Sequence, residues 1–127
     1  MLNREKFKKE ERLCSHIVLE KLFEEGESFF SFPFRILMIK TEKLGEYPVQ
    51  VVFTVPKRNI KSAVKRNLIR RRMRESYRLN KHVLYEKLQN NDQQLALTFI
   101  FTGKEPADYK VIEKGIVKAI KKLCSVS

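Results

Sequence analysis

The segment AVKRNLIRRRMRESYR, from Ala63 to Arg78, holds seven cations and one acid. It is expected to form a long helix that starts near Ser62. Each helical residue advances about 100°, so Arg66, Arg70, Arg74 and Arg78 make one slowly drifting row, with Asn67 and Arg71 beside it. Leu68, Ile69 and Met73 point the other way and are expected to seat the helix on a sheet. The helix is thus two-faced: one side packs and the other carries a cationic strip. Like charges at i,i+4 cost a helix a few tenths of a kcal/mol each. A generic surface helix would alternate signs, whereas this one leaves its counter-charges to a partner.

The charge is local. From Pro56 to Lys81 there are eleven Lys and Arg against the single acid Glu75, a net of +10. The other 101 residues carry sixteen cations and fifteen minus one acids, a net of +2, out of +12 for the chain. A scattered solubilising surface would not have this distribution. Arg suits the task, because its planar guanidinium grips a phosphate bidentately and stacks on an exposed base. The candidate polyanion contacts are therefore Lys57, Arg58, Lys61, Lys65, Arg66, Asn67, Arg70, Arg71, Arg74 and Arg78.

The rest of the chain supplies the layers. At 127 residues and 43% hydrophobic, it is expected to form a single domain, with residues 1–12 as a flexible, charged arm. Ser15 is a good N-cap for a first helix that carries Val18, Leu19, Leu22 and Phe23 and ends at Gly26. FRILMIKT and VQVVFTV read as strands, and EKLGEYP between them suggests an antiparallel hairpin. VLYEKLQNN prolongs the basic helix or forms a short one of its own. LALTFIF is a third strand. Asp108 can cap a last helix with an apolar stripe of Ile112, Ile116, Ala119, Ile120 and Leu123. The order α-β-β-α-β-α is an α+β layer architecture.

Several classes of function find no support. Cys14 and Cys124 make neither a disulfide framework nor a zinc spacing, and are expected to be reduced thiols of a cytoplasmic protein. The N-terminus lacks the apolar core of a secretory signal, and no stretch approaches the ~18 apolar residues of a spanning helix. The basic helix lacks the large apolar face of a membrane-surface helix. Asp92, Asp108, His16 and His82 are solitary, so neither a catalytic constellation nor a metal site is expected. The aromatic run SFFSFPF reads as core and edge packing, with one or two rings available to stack bases.

At AVKRNLIRRRMRE the chain resembles the protein component of bacterial ribonuclease P. That family carries an Arg-Asn-Arg core on its long helix, after a strand, a Lys/Arg corner and an Ala-Val pair. The matching residues here are Arg66-Asn67, Pro56-Lys57-Arg58 and Ala63-Val64. RLCSHIVLEKLFEEG looks like the family's first helix. Four positions depart: the second Arg of the core is Leu68, the Leu four residues on is Arg72, the first-helix phenylalanine one turn before Phe23 is Leu19, and an aromatic of the first strand is Leu37. The resemblance implies a small α/β sandwich with a left-handed β-α-β crossover, acting as a non-catalytic subunit of an endoribonuclease. Its partners would be the catalytic RNA, bound by the basic helix, and the 5′ leader of precursor tRNA, bound in a cleft. It implies magnesium for the RNA-catalysed reaction, with none held tightly by the protein, and no membrane or small-molecule partner. Phe34, Leu37, Leu19 and Phe23 are the cleft candidates that the resemblance points to. The alternative is another protein of structured RNA, such as a ribosomal protein or assembly factor, without a role in tRNA processing.

Overall fold

The structure, a computed structural model, describes residues 11–13, 15–41, 48–88 and 94–126. Ser15 caps α1 (His16–Glu25), its Oγ accepting from the Val18 N–H at 3.3 Å. Gly26 closes the helix as expected, but with an extended backbone. Its role is close approach, since a Cβ there would lie 2.3 Å from the Leu22 carbonyl oxygen.

The aromatic run builds a strand of its own. β1 (Glu27–Ser31) turns through Phe32-Pro33 into β2 (Phe34–Thr41) as an antiparallel hairpin. Then follow β3 (Val49–Thr54), α2 (Ala63–Leu88), β4 (Gln94–Phe101) and α3 (Tyr109–Val126). The α+β order is the expected one, with β1 added. VLYEKL continues α2. EKLGEYP falls largely, and NNDQQ almost wholly, outside the described residues.

The hairpin expected between β2 and β3 does not form. The sheet runs β1-β2-β4-β3, so β4 lies between them, antiparallel to β2 and parallel to β3. β4 is buried from Gln94 to Phe99, and a strand covered on both faces gains most from pairing on both edges. α2 is the crossover that the parallel β3–β4 pair requires.

Alternation along the strands sorts the sheet into two faces. Phe34, Ile36, Val51, Phe53, Leu97 and Phe99 pack with Ile69, Met73, Tyr77 and the α3 stripe, which is buried at every expected position. Phe53 stacks on Phe99 at 5.8 Å, and Tyr77 meets both rings edge-on. On the other face, α1 and Leu13 cover Leu37 and Ala96 in a smaller cluster. Gly115 lets α3 close on the β1–β2 turn, where a Cβ would come within 2.5 Å of the Phe32 carbonyl oxygen. Ser31 Oγ donates to the Gly115 carbonyl there at 2.8 Å.

Two residues of the expected N-terminal arm, Glu11 and Arg12, lie among the described residues. Residues 1–10 lie outside the described residues, but Glu11 is fully buried and Leu13 bonds to the Val51 carbonyl of β3. Glu11 Oε1 accepts from Lys81 Nζ at 2.6 Å and from the Tyr85 hydroxyl. Burial, followed by the neighbouring Tyr77 and Glu11, pushes the Tyr85 hydroxyl well above the usual phenol range, which keeps it a donor. A buried pair holds together well but leaves a costly charge when one partner is lost. Lys81→Met is therefore expected to destabilise the protein by about 3–5 kcal/mol. Glu11→Gln combined with Lys81→Met, which keeps an acceptor for Tyr85, is expected to recover most of that loss. Urea denaturation of the single and double variants checks both outcomes.

Candidate nucleic-acid interface

The arginine row of α2 lies along a flank of the packed face, not opposite to it. Ile69, Met73 and Tyr77 set the buried line, and the row drifts away from it. Arg66, Arg70 and Arg78 are half-buried as a result, while Arg71 and Arg74 stand exposed. The flank is the one away from α3, because Arg72 on the opposite flank donates to the Ala107 carbonyl at 2.6 Å, just ahead of α3. The departure from the family pattern at Arg72 thus has a structural use: it ties α2 to the segment that leads into α3. Leu68, expected to seat the helix, is only half-buried. Lys81, counted with the cationic segment, is buried with Glu11 and leaves the strip.

Within the strip, some cations are positioned and others are free to reach outward. Ser62 Oγ accepts from the Lys65 N–H at 3.3 Å and opens the helix. The Arg66 guanidinium donates to the Ile60 and Lys61 carbonyls at 2.9 and 2.8 Å, so it holds the loop ahead of α2. That loop is anchored again by buried Ile60 and by Asn59 Nδ2 on the Phe101 carbonyl. It presents Lys57, Arg58 and Lys61 to solvent. Asn67 Oδ1 accepts from Arg70 at 2.7 Å and fixes the direction of that guanidinium. Arg78 pairs with Glu75 through two hydrogen bonds, and the same contact holds the Glu75 carboxyl below its usual range. Lys65, Arg71 and Arg74 complete the exposed set.

The cleft candidates separate. Phe34 is fully buried on the α2–α3 face, edge-on to Phe99 and Phe101, so it is a core ring and not a stacking platform. Its place as the first residue of β2 fixes this, since Phe34 shares a face with Ile36 and Met38. Leu37 is buried beneath α1, with Leu19 partly buried beside it. Phe23 is 53% exposed on α1 and keeps an available ring.

Sequence reasoning missed a row across the α1 side of the sheet. The register aligns Phe30, Arg35, Ile100 and Thr54, one from each strand. α1 covers the next row, and here Phe30 and Arg35 are exposed while Thr54 and Ile100 are half-buried. Only the strand order brings these four together. Alternation along β2, with Arg35 between buried Phe34 and Ile36, was the local signal for one of them.

Among the described residues, no three His, Cys, Asp or Glu side chains cluster to hold a metal ion. His16 and Asp108 are exposed, His82 is half-buried, and Asp92 lies outside the described residues. Among the described residues, no helix is long and apolar enough to cross a membrane.

A sandwich that holds a directed cationic flank beside a half-open sheet face is an α+β protein with a surface suited to a polyanion. The chain matches the Ribonuclease P family over residues 7–124. It is 33% identical over 113 residues to the ribonuclease P protein component of Porphyromonas gingivalis, covering 88% of this chain and 82% of that one. It is 40% identical over 70 residues to that of Chlorobaculum tepidum. The fold is similar to the RNase P protein from Thermotoga maritima, with a TM-score of 0.68 at 23% identity, covering 88% of this chain and 96% of the other. For the Staphylococcus aureus RNase P protein the TM-score is 0.64 at 16% identity, covering 91% and 96%. The chain belongs to the ribonuclease P protein component family: it is a subunit of an endoribonuclease and acts in tRNA 5′ processing. The alternative of an RNA-binding protein outside tRNA processing is thereby set aside.

Two outcomes are expected from the geometry. Arg66→Ala should lower stability by about 1–2 kcal/mol, because two carbonyls lose a charged donor. Arg71→Ala and Arg74→Ala should leave the melting temperature unchanged, which thermal denaturation checks. Asn67→Ala frees the Arg70 guanidinium without removing charge. It should weaken binding to the cognate RNA more than binding to arbitrary RNA, and equal losses would restrict Asn67 to a structural role.

Proposed function

We propose that the chain binds the catalytic RNA of ribonuclease P through the α2 flank and the loop at Lys57, Arg58 and Lys61. The observation that carries this is the division of labour on α2. Arg66 and Asn67 hold the loop and Arg70 in place, while Arg71 and Arg74 stand exposed and Glu75, the acid nearest them in sequence, pairs with Arg78 instead. Directed guanidiniums suit a structured phosphate backbone, because phosphate contacts fix register and orientation.

The 5′ leader of precursor tRNA then lies along the uncovered row of Phe30, Arg35, Ile100 and Thr54, beside the exposed ring of Phe23. An exposed aromatic stacks on an unpaired base with little regard to sequence, and Arg35 meets the backbone. Leu19 and Leu37 support α1 from below. The protein positions substrate and screens charge. Magnesium serves the RNA-catalysed step. The setting is the cytoplasm, where precursor tRNA is processed.

The test is reconstitution with the RNA subunit of the source organism. The protein is expected to accelerate leader cleavage at low magnesium, and raised magnesium should partly replace it. Arg71→Ala/Arg74→Ala should weaken assembly and flatten its salt dependence by about 0.7–0.9 in log–log slope per lost phosphate contact. An unchanged affinity and slope in that variant would remove the α2 flank from the interface. Single-turnover cleavage should survive substitution of Glu75, Asp108, His16 or His82 at high magnesium.

A further inference from the structure

A second cationic surface lies at the opposite edge of the sheet. α2 packs over β3, whereas α3 packs over β1 and β2. α3 carries five lysines and the single acid Glu113, a net of +4. Acids elsewhere in the chain hide this in the total. Lys114, Lys118 and Lys122 follow one another at four-residue steps, about 6 Å apart along the helix axis. Glu113 lies off this line, beside Tyr109.

The lysine row faces an aromatic edge across a groove. Phe30, Ser31 and Phe32 form one wall; Val111, Lys114, Lys118 and Lys122 form the other, around about 490 Å³. That volume is within the ~300–1,000 Å³ of sites that hold small organic groups. Phe30 is 59% and Phe32 69% exposed, with ring centroids 6.5 Å apart. Two phenylalanines that open to water beside the β1–β2 turn do nothing for the core. Lys122 already sits over the Phe29 ring at 4.9 Å, so the face of that ring holds the Lys122 ammonium in place. The turn itself is fixed against α3 by the Ser31–Gly115 hydrogen bond. The two walls are therefore held at a set separation.

From this juxtaposition we infer that the groove between the β1–β2 turn and α3 binds a segment of single-stranded RNA, distinct from the surface on α2. Phosphates lie along Lys114 and Lys118, whose spacing is comparable to that of successive phosphates on one strand. A base stacks on Phe32, across from them. Aromatic faces combined with a charged track are the two elements of sequence-tolerant single-strand binding. A duplex cannot offer unstacked bases to Phe32, and a membrane surface calls for a broad convex apolar face rather than a groove. An acidic peptide would satisfy the lysines but leave both rings idle.

The chain has no tryptophan, so Phe32→Trp installs a single local reporter that lies outside the Phe30–Arg35 row. Titration of the full-length Phe32→Trp protein with a ten-nucleotide oligouridylate at low salt is expected to quench the indole saturably. Lys114→Glu/Lys118→Glu in the same background should weaken that titration about tenfold or more. The log–log salt slope should be about −1.4, for two phosphates at ~0.7 each on a single strand. Arg71→Ala/Arg74→Ala should leave the quenching curve in place, so failure of the α2 reading and failure of this one are distinguishable. Thermal melts establish that each variant is folded. If the Phe32→Trp reporter stays silent while anisotropy of a labelled oligouridylate shows binding, the groove is not an RNA site. An equal response to polyglutamate, or to phosphatidylserine vesicles, would assign it to an acidic protein or a membrane and overturn the inference.

Discussion

Everything in this structure depends on where β4 pairs. It bonds to β2 on one edge and β3 on the other, and its side chains are covered on both faces. Because β3 and β4 are parallel neighbours, the chain must cross the sheet between them, and α2 is that crossing. The stack of Phe53 on Phe99, closed by Tyr77, then fixes the rotation of α2 about its own axis. Once Tyr77, Met73 and Ile69 face inward, Arg70, Arg71 and Arg74 must run along the outer flank. The same pairing aligns Phe30, Arg35, Ile100 and Thr54 on the other face. Both surfaces assigned to RNA are consequences of one strand insertion.

Charge on α2 is handled in two ways, and the difference gives the site its directionality. Repulsion between neighbouring guanidiniums is relieved where an acceptor is at hand. Loop carbonyls serve Arg66, Asn67 serves Arg70, Ala107 serves Arg72 and Glu75 serves Arg78. Each of these contacts also fixes a loop, a helix or a guanidinium plane. Lys65, Arg71 and Arg74 are left facing water. A polyanion therefore meets a surface that is already shaped, and it spends little of its binding energy on ordering side chains. Lys81 shows the opposite treatment: buried with Glu11 and Tyr85, it fastens the N-terminal segment over α2 and adds nothing to the strip.

The second cationic surface was hidden by averaging. The chain outside Pro56–Lys81 is nearly neutral, yet α1 carries three acids against one lysine while α3 carries five lysines against one acid. Net charge along a sequence says nothing about charge across a fold. Separation by the sheet turns a near-zero sum into one acidic helix and one basic groove.

Much was legible in the residues themselves. Ser15, Ser62 and the α3 stripe stated their helices, because caps and 3.6-residue periodicity are local properties. The cationic composition of α2 was equally plain. What the residues did not contain was adjacency. β2 and β3 each read as strands, but nothing within either says that β4 enters between them. Pairing energy comes from contacts distant in the chain, so the expected hairpin was the wrong neighbour. Phe34 illustrates the consequence. Its aromatic ring was compatible with a cleft or a core, and the choice fell to the face that its register shares with Ile36 and Met38. Arg72 and Lys81 counted in the charge of the cationic segment without standing among the expected contacts. What they hold came only from packing against Ala107 and Glu11, since side-chain direction on a helix is local but what stands opposite it is not.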